Sequence, residues 1–252
     1  MNTQQQRKFK ILLIGDSCVD EYIYGTCDRL NPEAPVPVLK ITHTTQDLGM
    51  AANVRKNIEA FGCEVDFITG PLQSIKRRYI DERSKQHIVR VDEDYINEAF
   101  MPTEHFIGYD AVVVSDYNKG FVSYDTIKLV QELFDGPIFI DTKKTDLIQF
   151  NKSFVKINEL EYSNSTSKCE NLIVTLGNQG AMYKGKLFPT ESVSLVDVCG
   201  AGDTFLASLT YQYLLTKDMG IAIQFANKCA AISVQHRGVY TLTQTDIDNI
   251  KI

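Results

Sequence analysis

The 252-residue chain contains no apolar run long enough to cross a membrane or to form the core of a secretion signal. Its amino-terminal stretch, MNTQQQRKFKILLIGD, is apolar only from Ile11 to Ile14. A soluble, cytoplasmic protein is therefore expected. Basic residues are in the minority, 26 Lys and Arg against 32 Asp and Glu, and the net charge of -6 opposes capture of nucleic acid or an anionic membrane by the overall field. Any phosphate must then be gripped locally. The six cysteines, Cys18, Cys27, Cys63, Cys169, Cys199 and Cys229, form no CxxC pair and share no metal-ligand spacing with the four histidines, so they read as reduced thiols. No GxGxxG follows the first apolar segment, which argues against a dinucleotide-binding oxidoreductase. Repeats, low-complexity tracts and linkers are missing too, and a single domain over 1–252 is expected.

What is present is enough apolar sequence, 44% of residues, to bury one sizeable core. Lys10 to Ile14 is an apolar run that stops at Gly15-Asp16, the pattern of a buried parallel strand with polar groups at its carboxyl end. Ala111 to Val114, ending in SDYNKG, and Pro137 to Ile140, ending in DTKK, repeat it. Glu64 to Thr69 and Leu172 to Leu176 add strands. Ala51 to Phe61, Gly200 to Leu215 and Gly220 to Gln235 read as helices, and Thr243 to Ile250 caps the chain. This alternation predicts an α/β fold with a doubly wound, mostly parallel sheet, whose ligands bind at the strands' carboxyl ends. Two stretches do not fit: Tyr22 to Thr42, interrupted by prolines, and Lys76 to Val91, alternating basic and apolar residues. They suggest exposed antiparallel strands, either edge hairpins or a small β-sheet lid over the site.

The segment DVCGAGDTF, Asp197 to Phe205, carries the clearest chemistry. Gly200, Ala201 and Gly202 open an apolar helix, so its first N–H groups can face an anion unobstructed, and Asp203 puts a carboxylate beside that anion hole. Phosphoryl transfer needs these parts: stabilised phosphate charge, and a base for the acceptor hydroxyl.

The longer string resembles the signature of the ribokinase-like, or PfkB-type, carbohydrate kinases. The resemblance implies that Asp203 is the catalytic base, that Gly200, Ala201 and Gly202 line the anion hole, and that ATP and Mg²⁺ are required. Asn158-Glu159-Leu160-Glu161 matches the family's NxxE element, which implies that Asn158 and Glu161 face Mg²⁺-bound phosphates; the plain reading of the same string is a solvated helix start. VTLGNQG resembles the nucleotide segment, with Thr175, Gly177 and Gly180 beside ATP. Asp197 matches a position near a monovalent-cation (K⁺) site, although Cys199 replaces the usual small residue and leaves K⁺ dependence open.

The amino-terminal half, GDSCVDEYIYG, PEAPVPV and LGMAANVRKN, resembles the heptose-phosphate kinase branch, as do SDYNKG and IDTKK. That branch implies D-glycero-D-manno-heptose 7-phosphate as the acceptor, held by Asp16, Asp20, Gly49 and Asn53. Lys76, Arg78 and Arg90, with Lys143 as a further choice, are cations suited to the sugar's existing phosphate. A homodimer through the lid strands is also implied. The chain departs from the family in being shorter, with residues missing between Gly70 and Ser74 and after Glu161, and in having Met50 where a second glycine is usual. Another sugar kinase of the family, or a non-catalytic sugar or nucleotide sensor, are the alternative readings.

Overall fold

The computed structural model describes residues 8–250; the leading MNTQQQR, part of the segment read above for a signal sequence, lies outside them. The chain begins with β1 (Lys10–Gly15), runs out along β2 (Ser17–Leu30), returns along β3 (Pro37–Met50) and enters α1 (Ala51–Ala60). It repeats this excursion with β4 (Glu64–Thr69), β5 (Ser74–Asp81) and β6 (His87–Glu93). Then follow β7 (Ala111–Asp116), α2 (Tyr124–Leu133), β8 (Ile138–Thr142), β9 (Phe154–Asn158), α3 (Glu159–Asn164), β10 (Leu172–Thr175), β11 (Ala181–Tyr183) and β12 (Lys186–Phe188). Helices α4 (Ala201–Thr216), α5 (Met219–Ser233) and α6 (Gln244–Asn249) complete it.

The main sheet has the order β12-β11-β10-β9-β8-β7-β1-β4, parallel from β4 to β10 and antiparallel at β11 and β12. Its central strands read as unbroken apolar runs because both faces are covered. Ile11 and Leu13 of β1 pack with Val54 of α1 and with Phe205 and Leu209 of α4, whereas Leu12 and Ile14 pack with Ile127 and Val130 of α2. Alternate side chains thus enter two separate cores, as the period of two along a strand requires.

The small sheet has the order β3-β2-β5-β6. Its outer pairs are antiparallel as expected, but β2 and β5 are parallel. The reason is topological: β1 and β4 are parallel neighbours, and each continues almost directly into a strand of the small sheet, so the two continuations leave side by side in one direction. Both excursions depart from the carboxyl ends of the main strands, which holds the small sheet over the end where ligands bind. Among the described residues no helix is long and apolar enough to cross a membrane, and all six cysteines are free.

Candidate active site

The carboxyl ends of β7, β8, β9 and β10 and the start of α4 enclose a cleft of about 450 Å³, lined in part by Tyr117, Lys156, Asn158, Thr175, Gly177 and Gly202. Gly200 precedes α4 with φ 76°, a left-handed conformation that an L side chain adopts only under strain. No side chain caps the helix, and the N–H groups of Gly202 and Asp203 have no acceptor among the described residues. A Cβ on Gly202 would stand 2.8 Å from the Lys156 ammonium, so only glycine leaves the backbone open to a ligand there. The turn therefore presents free N–H donors and a lysine to one point in the cleft.

Asp203, in the first turn of α4, is 3% exposed. Asn53 of α1 donates its amide N–H to one carboxylate oxygen at 2.9 Å, and the Tyr117 hydroxyl donates to the other at 2.7 Å. Burial pushes the Asp203 carboxyl up to about 6, against the opposing pull of these two donors. The group is thus a stronger base than an exposed aspartate, yet still ionised at neutral pH. Beside it Lys156 and Asp141 form a buried ion pair at 2.7 Å, and burial raises the Asp141 carboxyl despite that lysine.

Asp16 and Asp20 are both buried and lie toward the small sheet. One Asp16 oxygen accepts the backbone N–H groups of Tyr117 and Lys119, while the other has no partner, and burial raises this carboxyl. An orphaned oxygen at this depth is suited to a ligand hydroxyl. Asp20 instead accepts from the Arg78 guanidinium at 2.5 Å, and Arg78 also donates to the Cys199 sulfur at 3.7 Å. Arg78 consequently ties the small sheet to the signature turn. Gly49 is required by space, since a Cβ there would come within 1.9 Å of the Asp20 carboxylate. Met50, at φ 57° and 4% exposed, occupies a left-handed position where glycine would be unstrained.

The remaining cations separate. Lys76 lies over the Tyr117 ring at 5.5 Å, and Lys143 over the same ring at 5.2 Å. Burial opposes the Lys143 charge, but Asp141 and Glu161 outweigh it and raise its pKa. Arg90 is half exposed and paired with Asp92 on its own strand, so it does not join the buried group. Asp197 lies away from the cleft, its carboxylate accepting the N–H groups of Cys199 and Gly238.

Asn158 and Glu161 form a capping box on α3: each side chain accepts the other's backbone N–H. Glu161 also accepts from Lys143. Glu159 and Leu160 line the cleft, and Thr175 and Gly177 lie at its edge. Gly180 does not; its φ is 96° and a Cβ would strike the Phe188 carbonyl at 2.1 Å, which makes it a turn residue before β11. With both Glu161 oxygens engaged, and no group of three or more His, Cys, Asp or Glu suited to a metal among the described residues, direct caging of Mg²⁺ does not fit. A hydrated ion that takes its other ligands from nucleotide phosphates does fit these oxygen donors.

Reading by motif passed over Tyr117, Lys156 and Asp141. The last two had a signal: Lys156 is a charged residue inside FVKIN, a buried strand, and Asp141 ends another, which burial makes costly unless they are paired.

A buried carboxylate, an open amide turn and a small sheet thus converge on one cleft. Residues 152–246 match the family model described as pfkB family carbohydrate kinase. Among curated relatives, the bifunctional protein HldE of Nitratiruptor sp. is 31% identical over 298 residues, covering 96% of this chain and 64% of the relative. The bifunctional protein HldE of Campylobacter curvus is 31% identical over 307 residues, covering 97% and 65%. The chain thus spans just under two thirds of these relatives, and because 298 aligned positions exceed its 252 residues, the matched region of the first contains residues this chain lacks. Ribokinase from Thermotoga maritima has the same fold, with a TM-score of 0.69 at 17% identity, covering 95% of this chain and 98% of that one.

Proposed function

We propose that the chain is an ATP-dependent kinase of a sugar phosphate, D-glycero-D-manno-heptose 7-phosphate at its anomeric hydroxyl. The observation that carries the kinase reading is the position of Asp203, a buried carboxylate in the helical turn where the Gly202 and Asp203 N–H groups lack acceptors among the described residues. The choice of heptose rests on the likeness of PEAPVPV and SDYNKG to the heptose-phosphate kinase branch.

In this reading the acceptor hydroxyl is held by the free oxygen of Asp16 and gives its proton to Asp203 as its oxygen bonds to the γ-phosphorus; the bond from phosphorus to the ADP oxygen breaks. The Gly200 to Asp203 amides and Lys156 stabilise charge on the transferring group. Mg²⁺, when bound beside Asn158 and Glu161, supplies neutralising charge to the phosphates. Lys76, with Arg78 on the same lid, serves the sugar's own phosphate, and Arg78 does so while held by Asp20. Closure of the lid excludes water, and exposed apolar residues on it, Ile41, Val89 and Val91 among them, suit a dimer through the lid.

The test is Asp203→Asn. Turnover measured by ADP release with heptose 7-phosphate should fall at least a hundredfold (order of magnitude) while ATP binding by calorimetry is retained. Near-normal turnover would reject the assignment. Run across fructose phosphates, ribose and nucleosides, the same assay tests the acceptor, and preference for an unphosphorylated sugar would reject the role of the lid cations.

A further inference from the structure

Among the described residues Tyr117 is the one that hydrogen-bonds to both Asp16 and Asp203. Its backbone N–H donates to Asp16 at 2.8 Å, and its hydroxyl donates to Asp203 at 2.7 Å. Asn118, immediately after it, has φ 57°, so the chain turns sharply here, and the Lys119 N–H also reaches Asp16 at 3.1 Å. The loop is therefore wrapped around Asp16 while its aromatic side chain spans the gap to α4. Lys76 from β5 of the small sheet and Lys143, just after β8, both lie over the ring.

We propose that Tyr117 is a positioning residue for Asp203: its hydroxyl selects the orientation of the base and its backbone N–H fixes Asp16, so that the two carboxylates form one rigid unit. Two features support this over a packing role. The hydroxyl is directed at a carboxylate that is already oriented by Asn53, so the second bond fixes the rotation of the group rather than merely satisfying a buried phenol. The two ammonium groups over the ring also link the base to the small sheet and to the nucleotide side of the cleft, so movement of either is felt at Asp203. The other charged or titratable groups facing Asp203 are Asp141, Lys156, Lys143, Cys18 and Cys199. None of them donates a hydrogen bond to it, so removal of the Tyr117 hydroxyl leaves Asn53 as its sole side-chain donor among the described residues.

The experiment compares the full chain with Tyr117→Phe and with 3-fluorotyrosine incorporated at 117, a stronger donor. Asp203 is followed directly by carbon NMR of labelled aspartates, its signal identified by its loss in Asp203→Asn. Removing a donor to the ionised form raises the carboxyl, so Tyr117→Phe should move its titration upward by about one unit, and fluorotyrosine should move it downward. With heptose 7-phosphate as the probe acceptor, Tyr117→Phe should lower kcat by about tenfold or more with little change in KM, and shift the acid limb of the pH profile upward. This kinetic arm rests on the kinase reading, whereas the titration does not. A titration that moves in a protein without turnover on any sugar phosphate supports the role of Tyr117 and rejects the kinase reading. Unmoved titrations in both variants overturn the role of Tyr117, even in an active kinase.

Discussion

The buried Asp203 carboxylate should cost the protein stability, and the cost should depend on pH. Asp203 is 3% exposed and burial pushes its carboxyl up to about 6, from 3.8 in the unfolded chain. The folded state therefore binds the proton more tightly, and stability falls as pH rises from the unfolded value through the folded one. The difference of about two units corresponds to roughly 3 kcal/mol, fully lost at pH 8 and about half lost at pH 5. Asp203→Asn removes the titration. Its stability relative to the parent should therefore improve by roughly 1 to 2 kcal/mol between pH 5 and pH 8, whatever offset the new amide introduces by facing the Asn53 and Tyr117 donors. Urea unfolding of both proteins at the two pH values measures this. A stability of the variant relative to the parent that is the same at both pH values, or that is higher at pH 5 than at pH 8, would refute the claim that burial dominates the Asp203 environment.

Further outcomes follow from the packing around the site. Arg78→Ala leaves Asp20 buried without its guanidinium and should destabilise the chain by about 3–5 kcal/mol in urea unfolding, with part of the loss recovered in Arg78→Ala combined with Asp20→Asn. Full additivity of the two substitutions would show that the pair is not coupled. Lys156→Met should be similarly costly, because Asp141 loses its buried partner, and adding Asp141→Asn should relieve most of the cost. Gly49→Ala forces the Asp20 carboxylate to move and should raise the acceptor KM at least tenfold (order of magnitude) with the ATP KM unchanged; an equal rise in both would place the strain elsewhere.

Much of this molecule was legible one residue at a time. The apolar runs at Ile11 to Ile14 and Ala111 to Val114 report burial on both faces, which only a covered parallel sheet provides. Gly200 and Gly202 mark a turn that must bend and stay open, and Asp203 beside them puts a carboxylate at that turn. These properties are local, set by side-chain polarity and backbone freedom within a few residues.

What the chain's order could not convey is which distant groups meet. Asp203 is joined to Asn53 across 150 positions and to Tyr117 across 86. Arg78, read from sequence as a free cation for phosphate, is held by Asp20 because β2 and β5 run side by side. Asn158 and Glu161 serve as a helix cap whether or not they also face a hydrated ion, since both tasks select the same oxygen-bearing side chains. Burial, pairing and the resulting proton affinities depend on three-dimensional neighbours, so only the tertiary structure decided how tightly the Asp203 carboxyl holds a proton and what fixes it in place.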